Sequence, residues 1–170
     1  MAEDKQVLYD LRTTYSGPFL VESLYEEIDD WIKEKGYEKE PKKKMEHVTN
    51  EGKKIELFIE AFKHLDELHK GVISLRVLIN NLREVELKKG RKKTKVQHGN
   101  VYINIDGWIN SHIHGSFFQV KPLYYFIRAV IDNYIYSFWQ DKYDGVVNGD
   151  GRDLFKRLRS FFNLQKVKHG

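Results

Sequence analysis

The sequence predicts an α+β fold: a curved antiparallel sheet of about six to seven strands wrapped around a long C-terminal helix, with one N-terminal helix and a short extra C-terminal helix. Three observations predict it. Between Lys42 and Asn110 apolar and polar residues mostly alternate, the two-residue period of strands with one buried face. Lys121 to Tyr143, KPLYYFIRAVIDNYIYSFWQDKY, instead repeats apolar residues every three or four positions. Leu20 to Lys35 shows the same helical period ahead of the strands.

Val7 to Tyr15 (VLYDLRTTY) is rich in β-branched and aromatic residues and reads as the first strand, broken at Ser16-Gly17-Pro18. The helix after it puts Val21, Leu24, Tyr25, Ile28, Trp31 and Ile32 on one face. Glu22, Glu26, Glu27, Asp29 and Asp30 take the solvated side, and Gly36 suits the position just past the helix end. Lys42 to Val48 and Lys53 to Phe62 flank the turn signal Asn50-Glu51-Gly52, with Ile55, Leu57, Ile59 and Ala61 on one face of the second strand. Leu65 to Lys70 is a connection.

Val72 to Leu82 aligns Ile73, Leu75, Val77 and Ile79, then continues with a bend through Val85 and Leu87. Lys89-Gly90-Arg91 turns the chain, Lys93 to Gln97 returns, and His98-Gly99-Asn100 is the next expected reversal. Val101 to Asn110 alternates most clearly: Val101, Ile103, Ile105 and Ile109 one way, Tyr102, Asn104, Asp106 and Trp108 the other. Ser116 to Lys121 is expected as a last strand.

Pro122 suits the first turn of the long helix. Leu123, Phe126, Ile127, Val130, Tyr134 and Phe138 form one face, while Tyr124, Tyr125, Ile131, Ile135, Tyr136 and Trp139 make the other face apolar too. Such a helix is buried on more than one side. Asp144-Gly145 and Asn148-Gly149-Asp150-Gly151 predict a flexible break. A short helix over 152–165 then turns Leu154, Leu158, Phe161, Phe162 and Leu164 inward and Lys156, Arg157 and Arg159 outward.

The order strand, helix, antiparallel strands, long apolar helix resembles the helix-grip architecture of START and Bet v1-like (SRPBCC) domains, over roughly Val7 to Tyr143. VELKKGRKKTKVQHGNVYINIDGW and the long-helix segment are also similar to stretches of small archaeal α+β proteins with no assigned activity. The helix-grip resemblance implies a cavity between sheet and long helix. The extra C-terminal helix departs from that pattern.

Bulk properties narrow the function classes. With 170 residues, 41% of them hydrophobic, one domain over 1–170 is expected, its core at about 7–143 and its accessory helix at about 152–165. The absence of cysteine excludes disulfides, thiol catalysis and Cys-liganded metal. A charged fraction of 32%, rich in Lys and Glu, is compatible with a thermophilic source. Met1 to Gln6 is polar, unlike a signal peptide, and no apolar run reaches the roughly 20 residues that span a bilayer, so a cytoplasmic protein without membrane insertion is expected. A net charge of +4 leaves room for a polyanionic partner.

No Walker A loop, GxGxxG turn or GxSxG elbow occurs, and no cofactor is implied. Glu56, Glu60, Asp106 and His112 are available for proton transfer, but their spacing places no two together, and no catalytic residue is assigned. His112 and His114 share a face of an extended segment and are candidate metal ligands with Asp106 as a third; a polar turn is the simpler reading.

Lys88, Lys89, Arg91, Lys92, Lys93 and Lys95 cluster at a predicted hairpin tip, and Lys42, Lys43, Lys44, Lys53 and Lys54 form a second group. Both suit phosphates, and both suit protection of a sheet edge. The leading expectation is binding of an apolar or aromatic small molecule between sheet and long helix, without catalysis. Its candidate residues are Trp108, Phe117, Tyr124, Phe126, Arg128, Val130 and Tyr134. An RNA or ribonucleoprotein-associated factor using the lysine-rich hairpins is the alternative, and a homodimer or other oligomer through the apolar helices the third.

Overall fold

The computed structural model describes residues 2–112 and 137–169, with side chains over 4–111 and 142–169. These residues form five strands and two helices. In chain order they are β1 (Ala2–Phe19), α1 (Val21–Glu34), β2 (Glu38–Thr49), β3 (Gly52–His64), β4 (His69–Lys89), β5 (Lys92–His112) and α2 (Ser137–His169). The strands make one antiparallel sheet in the order β1-β5-β4-β3-β2. β2 to β5 are successive hairpins, and β1 returns to the far edge beside β5.

Alternation decides which face each residue takes. Ile55, Ile59, Ile73, Leu75, Val77, Ile79, Val101, Ile103 and Ile105 are buried on one face. They share a core with Leu24, Ile28 and Trp31 of α1 and Val147, Leu154, Leu158 and Phe162 of α2. The α1 face expected from its period is the face that is buried. Leu20, at its N-cap, has no side-chain cap. Gln97 of β5 supplies one from outside, its Oε1 accepting the Val21 N–H at 3.0 Å. Gly36, at φ 74°, ends the helix.

The helix-grip arrangement is overturned: the sheet is not wrapped around a long helix, and it has five strands among the described residues rather than six to seven. One excess strand came from reading His98-Gly99-Asn100 as a reversal. β5 instead runs straight through it, pairing Asn100 with Asn80 and His98 with Arg83. β4 bulges there, with Asn81 at φ 55°, and a Cβ on Gly99 would stand 3.3 Å from the Asn80 carbonyl oxygen and 3.2 Å from Leu82 Cδ1. Gly99 accommodates a neighbour and does not turn the chain. The expected strand 116–121 lies outside the described residues, as do 121–136 of the expected long helix.

β1 also runs past its expected break. Pro18 pairs with His98 on an edge strand, where a missing N–H costs no ladder bond. Tyr15 donates its hydroxyl hydrogen to the Pro18 carbonyl at 2.7 Å.

The expected flexible break at Asp144–Gly151 is helical instead, so the accessory helix is the end of a 33-residue α2. Glycine weakens a helix by itself, and packing reverses the outcome here. Cβ atoms added at Gly71 and Gly107 of the sheet would come within 2.9 and 3.1 Å of Val147, and one at Gly151 would lie 2.3 Å from Leu8 Cδ2. Glycines on both layers let α2 approach the sheet closely. Two details of the expected C-terminal helix change with it. Leu164 is 66% exposed. Arg157 turns inward to α1, meeting Glu27 at 2.5 Å and Glu34 at 2.6 Å. The space left between α1, α2 and the sheet near Trp31 and Leu154 is only ≈ 10 Å³, too small for a ligand.

Candidate binding site on the second face of the sheet

The opposite face of the same strands carries the alternate residues, and among the described residues no helix packs on it. Register sets them in cross-strand rows: Lys43–Phe58–Arg76–Asn104, Met45–Glu56–Leu78–Tyr102, Glu40–Glu60–Ser74–Asp106 and Glu38–Phe62–Val72–Trp108. Three of these four rows hold an aromatic residue, and the Glu40–Glu60–Ser74–Asp106 row is wholly polar.

Two clefts lie between them. One, of ≈ 290 Å³, is lined among others by Glu60, Ser74, Asp106, Trp108 and Val72. The other, of ≈ 420 Å³, is lined by Lys43, Glu56, Leu78 and Tyr102. Phe58 and Arg76 border both. The Arg76 guanidinium lies over the Phe58 ring, 5.0 Å from its centroid. Arg76 meets no carboxylate within ion-pair distance among the described residues. The neighbouring lysines do: Lys43 with Glu56 at 3.0 Å, and Lys42 with Glu40 at 2.7 Å and Glu60 at 3.5 Å. Among the described residues, the site therefore holds one cation without a carboxylate partner, beside an aromatic floor.

Asp106, expected to be free for a metal or a proton, is engaged. Its Oδ1 accepts the Asp10 N–H at 2.8 Å and Gln6 Nε2–H at 3.3 Å, which holds the β1 bulge where Asp10 takes φ 45°. Glu60 and Asp106 share the smaller cleft but sit on strands two apart, with Ser74 between them. That separation is about 10 Å at the backbone, too far to share a proton.

No protein-family model matches the chain, and no curated protein matches it either. Function must be read from the site itself.

Of the expected pocket residues, Trp108 lines a cleft. Phe117, Tyr124, Phe126, Arg128, Val130 and Tyr134 lie outside the described residues, as do His114 and the side chain of His112. Among the described residues no cluster of three or more acidic or histidine side chains is arranged for a metal. Nor is any helix there long and apolar enough to cross a membrane. Sequence reasoning missed Phe58, Arg76 and Tyr102. Their signal was there: large aromatic residues at the polar-phase positions of strands, where small polar side chains would serve solubility better.

A second cluster closes the end of the sheet. Asp66 Oδ1 accepts the backbone N–H groups of Leu68 and His69, both at 2.7 Å, and lies 2.8 Å from His69 Nδ1. Its Oδ2 accepts the Tyr143 hydroxyl at 2.6 Å. Burial raises the proton affinity of Asp66, but these hydrogen bonds outweigh it and hold the carboxyl below its ordinary value; the same contact and partial burial push Tyr143 up to about 12. With its oxygens thus occupied, Asp66 ties the β3–β4 turn to α2.

Proposed function

We propose that the chain binds a flat aromatic small molecule bearing an anionic group, held without covalent chemistry in the paired clefts on the second face of the sheet. The observation that carries this reading is the Phe58–Arg76 pair, shared by both clefts, in which the guanidinium has no carboxylate within ion-pair distance among the described residues. An aromatic ring gains contact with Phe58 and Tyr102 in the larger cleft. A carboxylate, sulfonate or phosphate accepts the planar N–H donors of Arg76. The larger cleft, where Leu78 and Tyr102 stand beside Phe58 with Lys43 and Arg76 as cations, suits the ligand best, since Asp4, Glu60 and Asp106 make the smaller one acidic. The location differs from the one first expected, because the layer between sheet and described helices is filled.

The test uses two probes of equal shape, naphthalene-2-carboxylate and the neutral naphthalene-2-methanol, titrated by calorimetry. The carboxylate should bind about 10- to 100-fold more tightly, the value of a charged hydrogen bond. Arg76→Gln should erase that preference, and Phe58→Ala should weaken both probes. Failure of the wild-type chain to bind either probe, or a preference that survives Arg76→Gln, rejects the reading.

A further inference from the structure

The two lysine-rich hairpins look alike in sequence, and the structure separates them. On β2 and β3, Lys42, Lys43, Lys53 and Lys54 each meet a glutamate: Glu40 and Glu60, Glu56, Glu46, and Glu56 respectively. β2 is also an edge strand, where lysines deter pairing with another chain. Lys44, the fifth of that group, lies over the Tyr25 ring, so that cluster is largely neutralised and explained.

The β4–β5 cluster is neither. β3 pairs with β4 only as far as Leu82, and β1 with β5 only as far as Gln97. Beyond those points residues 84–96 form a two-stranded ribbon that pairs with no third strand among the described residues. Lys88 faces Lys93 and Lys89 faces Lys92 directly across the ladder. Like charges in that position destabilise a hairpin, and protection of an edge requires no such facing pairs. Because cross-strand partners share a face and successive residues alternate, the two pairs place positive charge on both faces of the ribbon. Lys88, Arg91, Lys92, Lys93 and Lys95 have no ion-pair partner among the described residues. The ribbon's acids, Glu84 and Glu86, sit at its base, opposite Gln97 and Lys95.

The far end of α2 adds to the charge. Lys89 donates to the Lys168 carbonyl oxygen, which brings Lys166, Lys168 and His169 to the ribbon. Burial, Lys168 and Lys89 together lower the proton affinity of His169, as expected in a positive field. No aromatic residue occurs between Arg83 and His98, so the ribbon offers no platform for unstacked bases.

We infer that the β4–β5 ribbon, with the C-terminal end of α2, is a docking surface for double-helical nucleic acid, which it grips through backbone phosphates without reading sequence. A two-stranded ribbon matches the width of the major groove of B-form DNA. Lysines on both faces would then meet the phosphates on either side of it. The facing lysine pairs, which repel in the free chain, are relieved when anions lie between them. This surface is remote from the clefts in the sheet register, and the inference stands independently of the ligand reading.

The test measures anisotropy of a labelled DNA duplex of about 20 bp with the full chain as salt is varied. Neutralising four phosphates predicts that log K falls against log salt with a slope of about −3 to −4. The variant K88Q/K89Q/K92Q/K93Q should weaken binding at least about tenfold at about 100 mM salt and flatten the slope. Its melting temperature should hold or rise, since the cross-strand repulsion goes with the charges. The charge-neutral variant K53Q/E46Q should leave binding unchanged. Three results would overturn the inference: no duplex binding at low salt, equal loss in both variants, or phosphatidylserine vesicles bound more tightly than the duplex through the same lysines.

Discussion

The two faces of this sheet are built from the same strands, yet they are different materials. On the first, Ile79, Ile103 and Ile105 have no exposed surface, and the space between the sheet and the helices near Trp31 and Leu154 is only ≈ 10 Å³. On the second, one residue along each strand, Phe58, Leu78, Tyr102 and Trp108 are only partly buried, beside clefts of ≈ 290 and 420 Å³. Close packing on the first face stabilises the fold. Among the described residues, packing on the second is incomplete, and its apolar and cationic groups are those the proposed ligand would meet. The lesson is that parity along a strand separates stability from binding, so substitutions one residue apart should move different observables.

The largest expected effect tests that separation directly. Ile105→Ala should cost about 2–5 kcal/mol in urea unfolding, the range for truncating a fully buried aliphatic side chain. Phe58→Ala should cost less than half as much while weakening the aromatic probes. Equal losses of stability would break the contrast.

Next in size is a pair of glycines within α2, one of the two helices on the first face. Gly151→Ala would press a methyl group into Leu8, which is 1% exposed and has little room to turn, at a cost of about 1–3 kcal/mol. Gly145→Ala meets nothing within 4 Å and should add about 0.5–1 kcal/mol by helix propensity alone. In thermal melts the two should move in opposite directions, by several degrees and by about 2–4 °C.

The smallest effect concerns the knot that ties α2 to the end of the sheet. Folding lowers the pKa of Asp66 from 3.8, so the folded chain binds that proton less readily than the unfolded one. Its contribution is therefore present above the unfolded value and is lost as pH falls through the folded one. Asp66→Asn should lower the melting temperature near neutral pH and flatten its decline below about pH 4. An unchanged acid limb would show that Asp66 contributes no net stability, and that the first face is held by packing alone.

Much of the fold was legible in the sequence. The inward residues of α1, the aligned isoleucines of β3, β4 and β5, the continuation of β4 past Leu82 and the stop at Gly36 all follow from periods of two or three to four residues. The candidate site was far less legible. Only Trp108 was anticipated within it. The aromatic surplus of 121–143 drew the expected pocket to the helix side, whereas Phe58 and Arg76 belong to strands 18 residues apart whose register is invisible before pairing. The lysine clusters show the same limit. Lys43 and Lys93 are equivalent as sequence, and differ because Glu56 stands beside one and another lysine opposite the other.

By itself, then, the sequence determined which face of each regular element is apolar, since that depends only on local spacing. It also excluded thiol and disulfide chemistry by composition. Tertiary structure alone decided what the glycines mean. Gly99 lies in a straight strand because the β4 bulge crowds it, and Gly151 stays helical because Leu8 requires its missing side chain. At both positions the glycine serves a neighbour and not a turn. That neighbour is supplied by strands and helices distant in the chain, and no local pattern contains it.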